Sequence, residues 1–149
     1  MKIKVCGMRD PQNILSLAGL KPDYIGLIFY PPSKRYIADP DKNTLASLPS
    51  EIRLTGVFVD EQQEVIIEKV FNYGLSAVQL HGAESPEYCS ALRTKLKKFK
   101  PEKHVELIKA FGIFPGFDFS TLERYDDAVD FFLFDTKTSE HGGSGIAFD

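Results

Sequence analysis

Two cysteines, Cys6 and Cys89, are too few for a disulfide framework, and a reducing compartment, the cytoplasm, is the expected location. No apolar run approaches the ~20 residues that a membrane-spanning helix needs. No stretch resembles a signal peptide either, because the first predicted strand begins almost at Met1. Positive charge is not in excess: 18 Lys and Arg against 21 Asp and Glu leave a net charge of -3. That removes the electrostatic ground for binding nucleic acid or an anionic membrane. The spacing of a P-loop and the G-x-G-x-x-G of a dinucleotide fold are both missing. So are a Ser-His-Asp arrangement and any His, Cys and carboxylate cluster at metal-ligand spacing, so neither a metal nor a cofactor is expected. There is no solenoid-type repeat and no low-complexity tract.

What is present is an ordinary globular composition, 43% apolar and 26% charged over 149 residues, which predicts a single domain spanning 1–149. Short apolar runs alternate with helix-like segments. Strands are predicted at Ile3–Cys6, Tyr24–Phe29, Arg53–Val59, Ala77–His81, Val105–Ala110 and Phe131–Asp135, and helices at Pro11–Leu20, Pro40–Leu48, Glu61–Tyr73, Glu84–Leu96 and Phe119–Tyr125. Pro11 and Pro40 suit the first turn of a helix, with Asp10 and Asp39 as their N-caps, and Gly19 and Gly74 suit helix ends. Lys95–Lys103 is a basic stretch that reads as a solvated loop.

Consecutive βα units admit an open doubly wound sheet or a (β/α) barrel. Side-chain alternation separates the two. Lys4 and Cys6 share one face of the first strand, Gln79 and His81 one face of the fourth, and Leu133 and Asp135 one face of the sixth; Lys109 sits in the fifth. Polar residues at corresponding places near the C-terminal ends of four strands would meet in the mouth of a barrel. An open sheet gives them no common destination, so the barrel is favoured.

The thiol of Cys6 and the carboxyl of Asp135 close the first and last apolar runs, where α/β proteins keep their chemistry, and together they suggest a proton-transfer pair. Each has a plainer reading. Cys6 suits a small buried hydrophobe. Asp135 suits the N-cap of a short helix, with Thr136 and Thr138 as rivals. His81 with Gly82 suits a strand end. Arg35, after Pro31-Pro32, suits a carboxylate or phosphate, or equally a surface turn. Gly142-Gly143-Ser144-Gly145 is similar to a phosphate cradle in composition alone, and a flexible closing loop explains it as well. Cys89 reads as core, His104 as surface, and His141 as part of a polar loop.

Taken together, five stretches resemble the phosphoribosylanthranilate isomerase family of tryptophan biosynthesis. They are Lys4-Val5-Cys6-Gly7; Gly26-Leu27-Ile28-Phe29-Tyr30-Pro31 with Ser33-Lys34-Arg35-Tyr36-Ile37; Gly56-Val57-Phe58-Val59; Val78-Gln79-Leu80-His81-Gly82; and Phe134-Asp135-Thr136-Lys137 with Gly142-Gly143-Ser144-Gly145. They occur in the family's order along the whole chain.

The resemblance implies a (β/α)8 barrel of TIM type, here with about six of its units, acting without metal or cofactor. It implies an Amadori rearrangement of a phosphorylated sugar joined to anthranilate. Cys6 falls on the family's general base, Asp135 on its general acid, and Arg35 on the arginine near the anthranilate or its carboxylate. Gln79 and His81 match positions facing the site, and Gly142, Gly143, Ser144 and Gly145 match a substrate-binding loop. An aspartic acid with an ordinary pKa of ~3.9 must be held protonated to donate, and burial beside Phe132–Phe134 is expected to do so. A cysteine of pKa ~8.5 is only a few per cent thiolate at neutral pH, and Lys4, in phase with Cys6, is a candidate to favour it. The family pattern continues beyond residue 149 with a seventh and an eighth unit, where barrels of this kind hold phosphate. Without them, the first and sixth strands would present open edges, and self-association into a homo-oligomer is a further expectation.

Overall fold

The computed structural model describes residues 1–136. Six strands run β1 (Lys4–Cys6), β2 (Tyr24–Ile28), β3 (Arg53–Phe58), β4 (Ala77–Leu80), β5 (Glu106–Ile113) and β6 (Phe131–Thr136). Between them lie α1 (Pro11–Gly19), α2 (Lys42–Ala46), α3 (Gln63–Tyr73), α4 (Pro86–Phe99) and a 3₁₀ helix at Phe119–Tyr125. All neighbouring strands pair in parallel, in the order β1-β2-β3-β4-β5-β6. A doubly wound sheet reverses its strand order near the middle. This one does not, and the sheet is the TIM-barrel type.

The two faces of the sheet differ in what covers them. Ile25, Leu27, Leu54, Phe58, Val78, Leu80 and Leu107 pack against Ile14 and Ala18 of α1, Ile66 and Val70 of α3, and Cys89, Leu92 and Leu96 of α4. The opposite face carries a smaller cluster of Tyr24, Ala77 and Ile108, with Leu133 against it, and no helix residue joins it. Helices on one face only, with strand side chains meeting on the other, are what a curving βα barrel wall requires. Below that inner cluster, the Tyr24 hydroxyl donates to Glu106 Oε2 at 2.9 Å and Arg53 pairs with Glu106 Oε1. Cys89 is fully buried, and burial pushes its thiol up to about 11, which makes it an inert packing residue.

Local signals placed most boundaries within two residues. Asp10 accepts from the Asn13 N–H at 2.8 Å and caps α1, and Gly74 ends α3 at φ 63. Two expectations are corrected. The cap of α2 is Asp41, not Asp39: Asp41 accepts from the Thr44 N–H and hydroxyl, while the Asp39 carboxylate accepts from the Tyr73 hydroxyl at 2.6 Å. That pairing leaves Pro40 outside the helix. Gly19 is the last residue of α1, as expected of a helix end, and the left-handed residue that follows is Lys21 (φ 52). The basic stretch is not wholly a loop: α4 continues to Phe99, and Lys95 pairs across to Glu64 of α3 at 2.6 Å.

Asp130, just before β6, ties that strand to β5. Its Oδ2 accepts from the Leu107 N–H at 2.7 Å and from Arg93 at 3.1 Å, and its Oδ1 faces His104 Nε2 at 3.0 Å. Burial alone would raise this carboxyl, but the Leu107 N–H and the Arg93 side chain outweigh it and hold it below the ordinary range. A carboxylate depressed in the folded state adds stability above its unfolded pKa of ~3.9, and that stability disappears as pH falls through the folded value. Asp130→Asn is therefore expected to lower the urea midpoint at pH 7 and to shrink the loss of stability on acidification. Equal midpoint shifts in both proteins between pH 7 and pH 3 would contradict this.

Candidate active site

The C-terminal ends of the strands open into a cleft of about 280 Å³. Its walls bring together Lys4 and Cys6 from β1, Ser33 and Arg35 from the segment after β2, Gln79 and His81 at the end of β4, and Asp135 from β6. Ile28, Tyr30, Val57, Val59 and Leu133 supply its apolar surface. Five residues singled out from the sequence thus meet in one space: Cys6, Arg35, Gln79, His81 and Asp135.

Cys6 reaches the cleft because its neighbour has no side chain. Gly26 is its register partner on β2, and a Cβ there would lie 2.6 Å from Cys6 Sγ. Arg35 reaches it for a related reason. Gly7 has φ +85, and a Cβ on it would lie 2.6 Å from Arg35 Cδ, so the guanidinium stem lies against bare backbone. Arg35 Nη1 donates to the Cys6 carbonyl at 3.2 Å. The chain after β2 is held under it by the Ile37 N–H donating to the Ile28 carbonyl at 3.0 Å. Glycine at both positions is therefore a matter of close approach.

Across the cleft, His81 Nε2 lies 3.6 Å from Asp135 Oδ2. His81 Nδ1 lies 2.8 Å from Gln79 Nε2, and Gln79 Oε1 accepts from the Lys4 ammonium. The Lys4 ammonium is thus held by an amide of β4. Asp135 is a strand residue and not a helix cap. Its side chain is 29% exposed. Phe132 packs into the helix-side core, whereas Phe134 stacks edge-on against Phe119 and also lines the cleft beside Asp135.

Lys109 is a further correction. It shares a face with Leu107, and its register partner is Leu80, so it points to the helix layer and not into the cleft. Its ammonium, 3% exposed, pairs with Glu84 Oε2 at 3.2 Å and donates to the carbonyls of Gly82 and Ala110, each at 2.8 Å. Glu84, 1% exposed, also accepts from the Gly82 and Asp60 N–H groups. Asp60, at φ 49, accepts in turn from the Ala83 N–H at 2.6 Å. This network locks the loops after β3 and β4, and hence His81, into place. Sequence reading missed it; the available signal was a lysine inside an otherwise apolar strand, which requires a buried partner. Gly142, Gly143, Ser144 and Gly145 lie outside the described residues, as does His141. Among the described residues, no three His, Cys, Asp or Glu side chains come together to hold a metal ion.

Residues 3–149 match the family model for N-(5'-phosphoribosyl)anthranilate (PRA) isomerase. An N-(5'-phosphoribosyl)anthranilate isomerase of Parabacteroides distasonis is 42% identical over 151 aligned positions, which take in 100% of this chain and 65% of the relative. The crystal structure of phosphoribosyl anthranilate isomerase from Thermotoga maritima superposes with a TM-score of 0.77 at 35% identity, over 100% of this chain and 68% of that one. A phosphoribosyl anthranilate isomerase in complex with reduced 1-(o-carboxyphenylamino)-1-deoxyribulose 5-phosphate gives a TM-score of 0.73 at 31% identity, over 92% of this chain and 66% of that one. The chain thus spans about two-thirds of the length of these relatives, 65% of the first. Family model, sequence and overall fold agree, and this chain belongs to the phosphoribosylanthranilate isomerase family.

Proposed function

We propose that the chain carries the acid–base pair of a phosphoribosylanthranilate isomerase, acting in tryptophan biosynthesis on N-(5-phosphoribosyl)anthranilate. The observation that carries this reading is the convergence of Cys6 and Asp135, from strands that do not pair with each other, on one open cleft. A residue kept only for packing has no need of that position.

The proposed chemistry turns on two proton transfers by these side chains, followed by ketonisation. Asp135 gives its proton to the furanose ring oxygen as the bond from that oxygen to C1' breaks, leaving a Schiff base between C1' and the anthranilate nitrogen. The iminium makes the C2' hydrogen acidic, and the Cys6 thiolate removes it to form an enolamine, which ketonises as C1' gains a proton and the 2'-hydroxyl loses one; return of the Cys6 proton to Asp135 through solvent restores the pair. The aldose becomes a ketose with no net change in oxidation. Opposite walls of the cleft suit attack on two different atoms of one sugar. Arg35, exposed at the rim, suits the anthranilate carboxylate through its planar fork of donors. The route uses only side chains of this protein, so no metal or cofactor enters it. A cytoplasmic setting suits a free thiol base, and both cysteines are unpaired. Among the described residues no helix is long and apolar enough to cross a membrane.

The fluorescence of phosphoribosylanthranilate, followed as it decays, tests the reading. Decay catalysed by the chain and reduced by about 10²–10⁴ in Cys6→Ala is the expected result. An unchanged rate in that variant removes Cys6 from the role. Gly26→Ala is expected to force the sulfur out of its position and to lower turnover by about 10–100-fold, since misplacements near 1 Å are that costly. Wild-type turnover in Gly26→Ala would show that the sulfur's present position is not needed.

A rival reading, an inert portion of a barrel that associates through its edges, draws on β1 and β6. Among the described residues each pairs with one neighbour only. It expects a folded oligomer with no turnover, which sedimentation and the same fluorescence assay distinguish. The cleft chemistry has no place in it, and it is the weaker of the two.

A further inference from the structure

The polar groups on the cleft wall form a line whose hydrogens are determined by elimination. Lys4 is the starting point. An ammonium has donors and no acceptor, so the Gln79 atom that meets it must be the amide oxygen. The Gln79 side chain, buried at 3% exposure, is thereby fixed in orientation, and its Nε2 is the atom 2.8 Å from His81 Nδ1. An amide NH₂ only donates. His81 Nδ1 must then offer its lone pair, and the one proton of a neutral imidazole sits on Nε2, the nitrogen that faces Asp135 Oδ2 at 3.6 Å. The alternatives each place donor against donor in a confined site. An Nδ1–H tautomer or an imidazolium would confront the Gln79 NH₂, and a turned amide would confront the Lys4 ammonium.

We propose that Gln79, oriented by Lys4, is a positioning residue that holds His81 as its neutral Nε2–H tautomer and so aims the carboxyl of Asp135. The imidazole N–H faces Oδ2 at 3.6 Å, beyond hydrogen-bond reach but near enough to favour negative charge on that oxygen, and Oδ1 is left to carry the proton delivered to substrate. The consequence for Asp135 rests on its reading as the acid; the tautomer of His81 does not. Gln79 itself touches no reacting atom in this scheme.

Nitrogen-15 NMR of the imidazoles tests it directly. The chain has only three histidines, and His81→Asn identifies the resonances of His81 by their loss. The expected result at pH 8 is a protonated Nε2 and a bare Nδ1. In Gln79→Glu the new carboxylate accepts instead of donating, and the proton moves to Nδ1 or the ring becomes doubly protonated. In Lys4→Met the amide is free to turn, and the second tautomer appears; Lys4→Arg, also donor-only, retains the original one. A wild-type Nδ1–H, or an Nε2–H pattern that persists in both Gln79→Glu and Lys4→Met, overturns the proposal. Kinetics supply the second readout: kcat of Gln79→Glu falls by at least about tenfold while KM moves by less than about twofold. A change in KM alone would mean that Gln79 binds substrate instead of positioning the acid. If Cys6→Ala and Asp135→Asn prove fully active, the functional reading fails while the tautomer measurement still stands or falls by itself.

Discussion

Asp135→Asn is expected to lower turnover of phosphoribosylanthranilate by about 10²–10⁴-fold, with KM nearly unchanged. The substitution keeps the size and planar shape of the side chain and leaves a carbonyl oxygen for the His81 Nε2–H to face, now 3.6 Å from Asp135 Oδ2. What it removes is the transferable proton. The loss should therefore appear in kcat, because ring opening needs that proton in the transition state and substrate binding does not. The partial exposure of Asp135 sharpens the test. Phe132 does not enclose this carboxyl, because it packs into the helix-side core. What equips the carboxyl is the cleft itself, with His81 on one side and bound substrate on the other. Steady-state rates of the two proteins, measured by loss of substrate fluorescence, decide the matter, and an Asn variant within about threefold of wild type would exclude Asp135 as the acid.

Lys109→Met carries the largest expected effect on stability, a loss of about 3–5 kcal/mol. The substitution removes the cation that faces Glu84 Oε2 at 3.2 Å, and it leaves the carbonyls of Gly82 and Ala110 without their donor. Glu84 then remains buried with only backbone N–H groups for company. Most of the penalty belongs to that stranded charge and not to the net worth of the pair. It follows that Lys109→Met with Glu84→Gln should recover part of the loss, because an amide costs less to bury than an unpaired carboxylate. Urea midpoints at pH 7 measure all three proteins. A single-variant loss below about 1 kcal/mol, or a double variant less stable than Lys109→Met, would show that the pair does not act as a buried unit.

The two residues behind these predictions were not equally visible in the sequence. Asp135 could be placed from strand phase alone, because alternation with Leu133 puts both on the inner face, and β6 keeps that phase. Lys109 could not. Parallel strands in a barrel wall are apolar on both faces, so Leu107-Ile108-Lys109-Ala110 contains no sign of which face is inward. Only the pairing of Leu80 with Lys109, with Leu80 in the helix-side core, settles that the lysine points outward to Glu84. The misplaced cap of α2 has the same origin. Asp39 and Asp41 are equivalent by local chemistry, and the choice between them was made by Tyr73, 34 positions along the chain from Asp39.

By itself the sequence determined the alternation of elements, most helix starts and ends, and the barrel-type class. These follow from hydrophobic periodicity and capping, which act over a few neighbouring residues. The order of the strands, the face given to Lys109, and the run of contacts from Lys4 through Gln79 and His81 to Asp135 were decided by tertiary structure. Hydrogen bonds and ion pairs of that kind depend on the positions and directions of groups tens of residues apart, which no local pattern encodes.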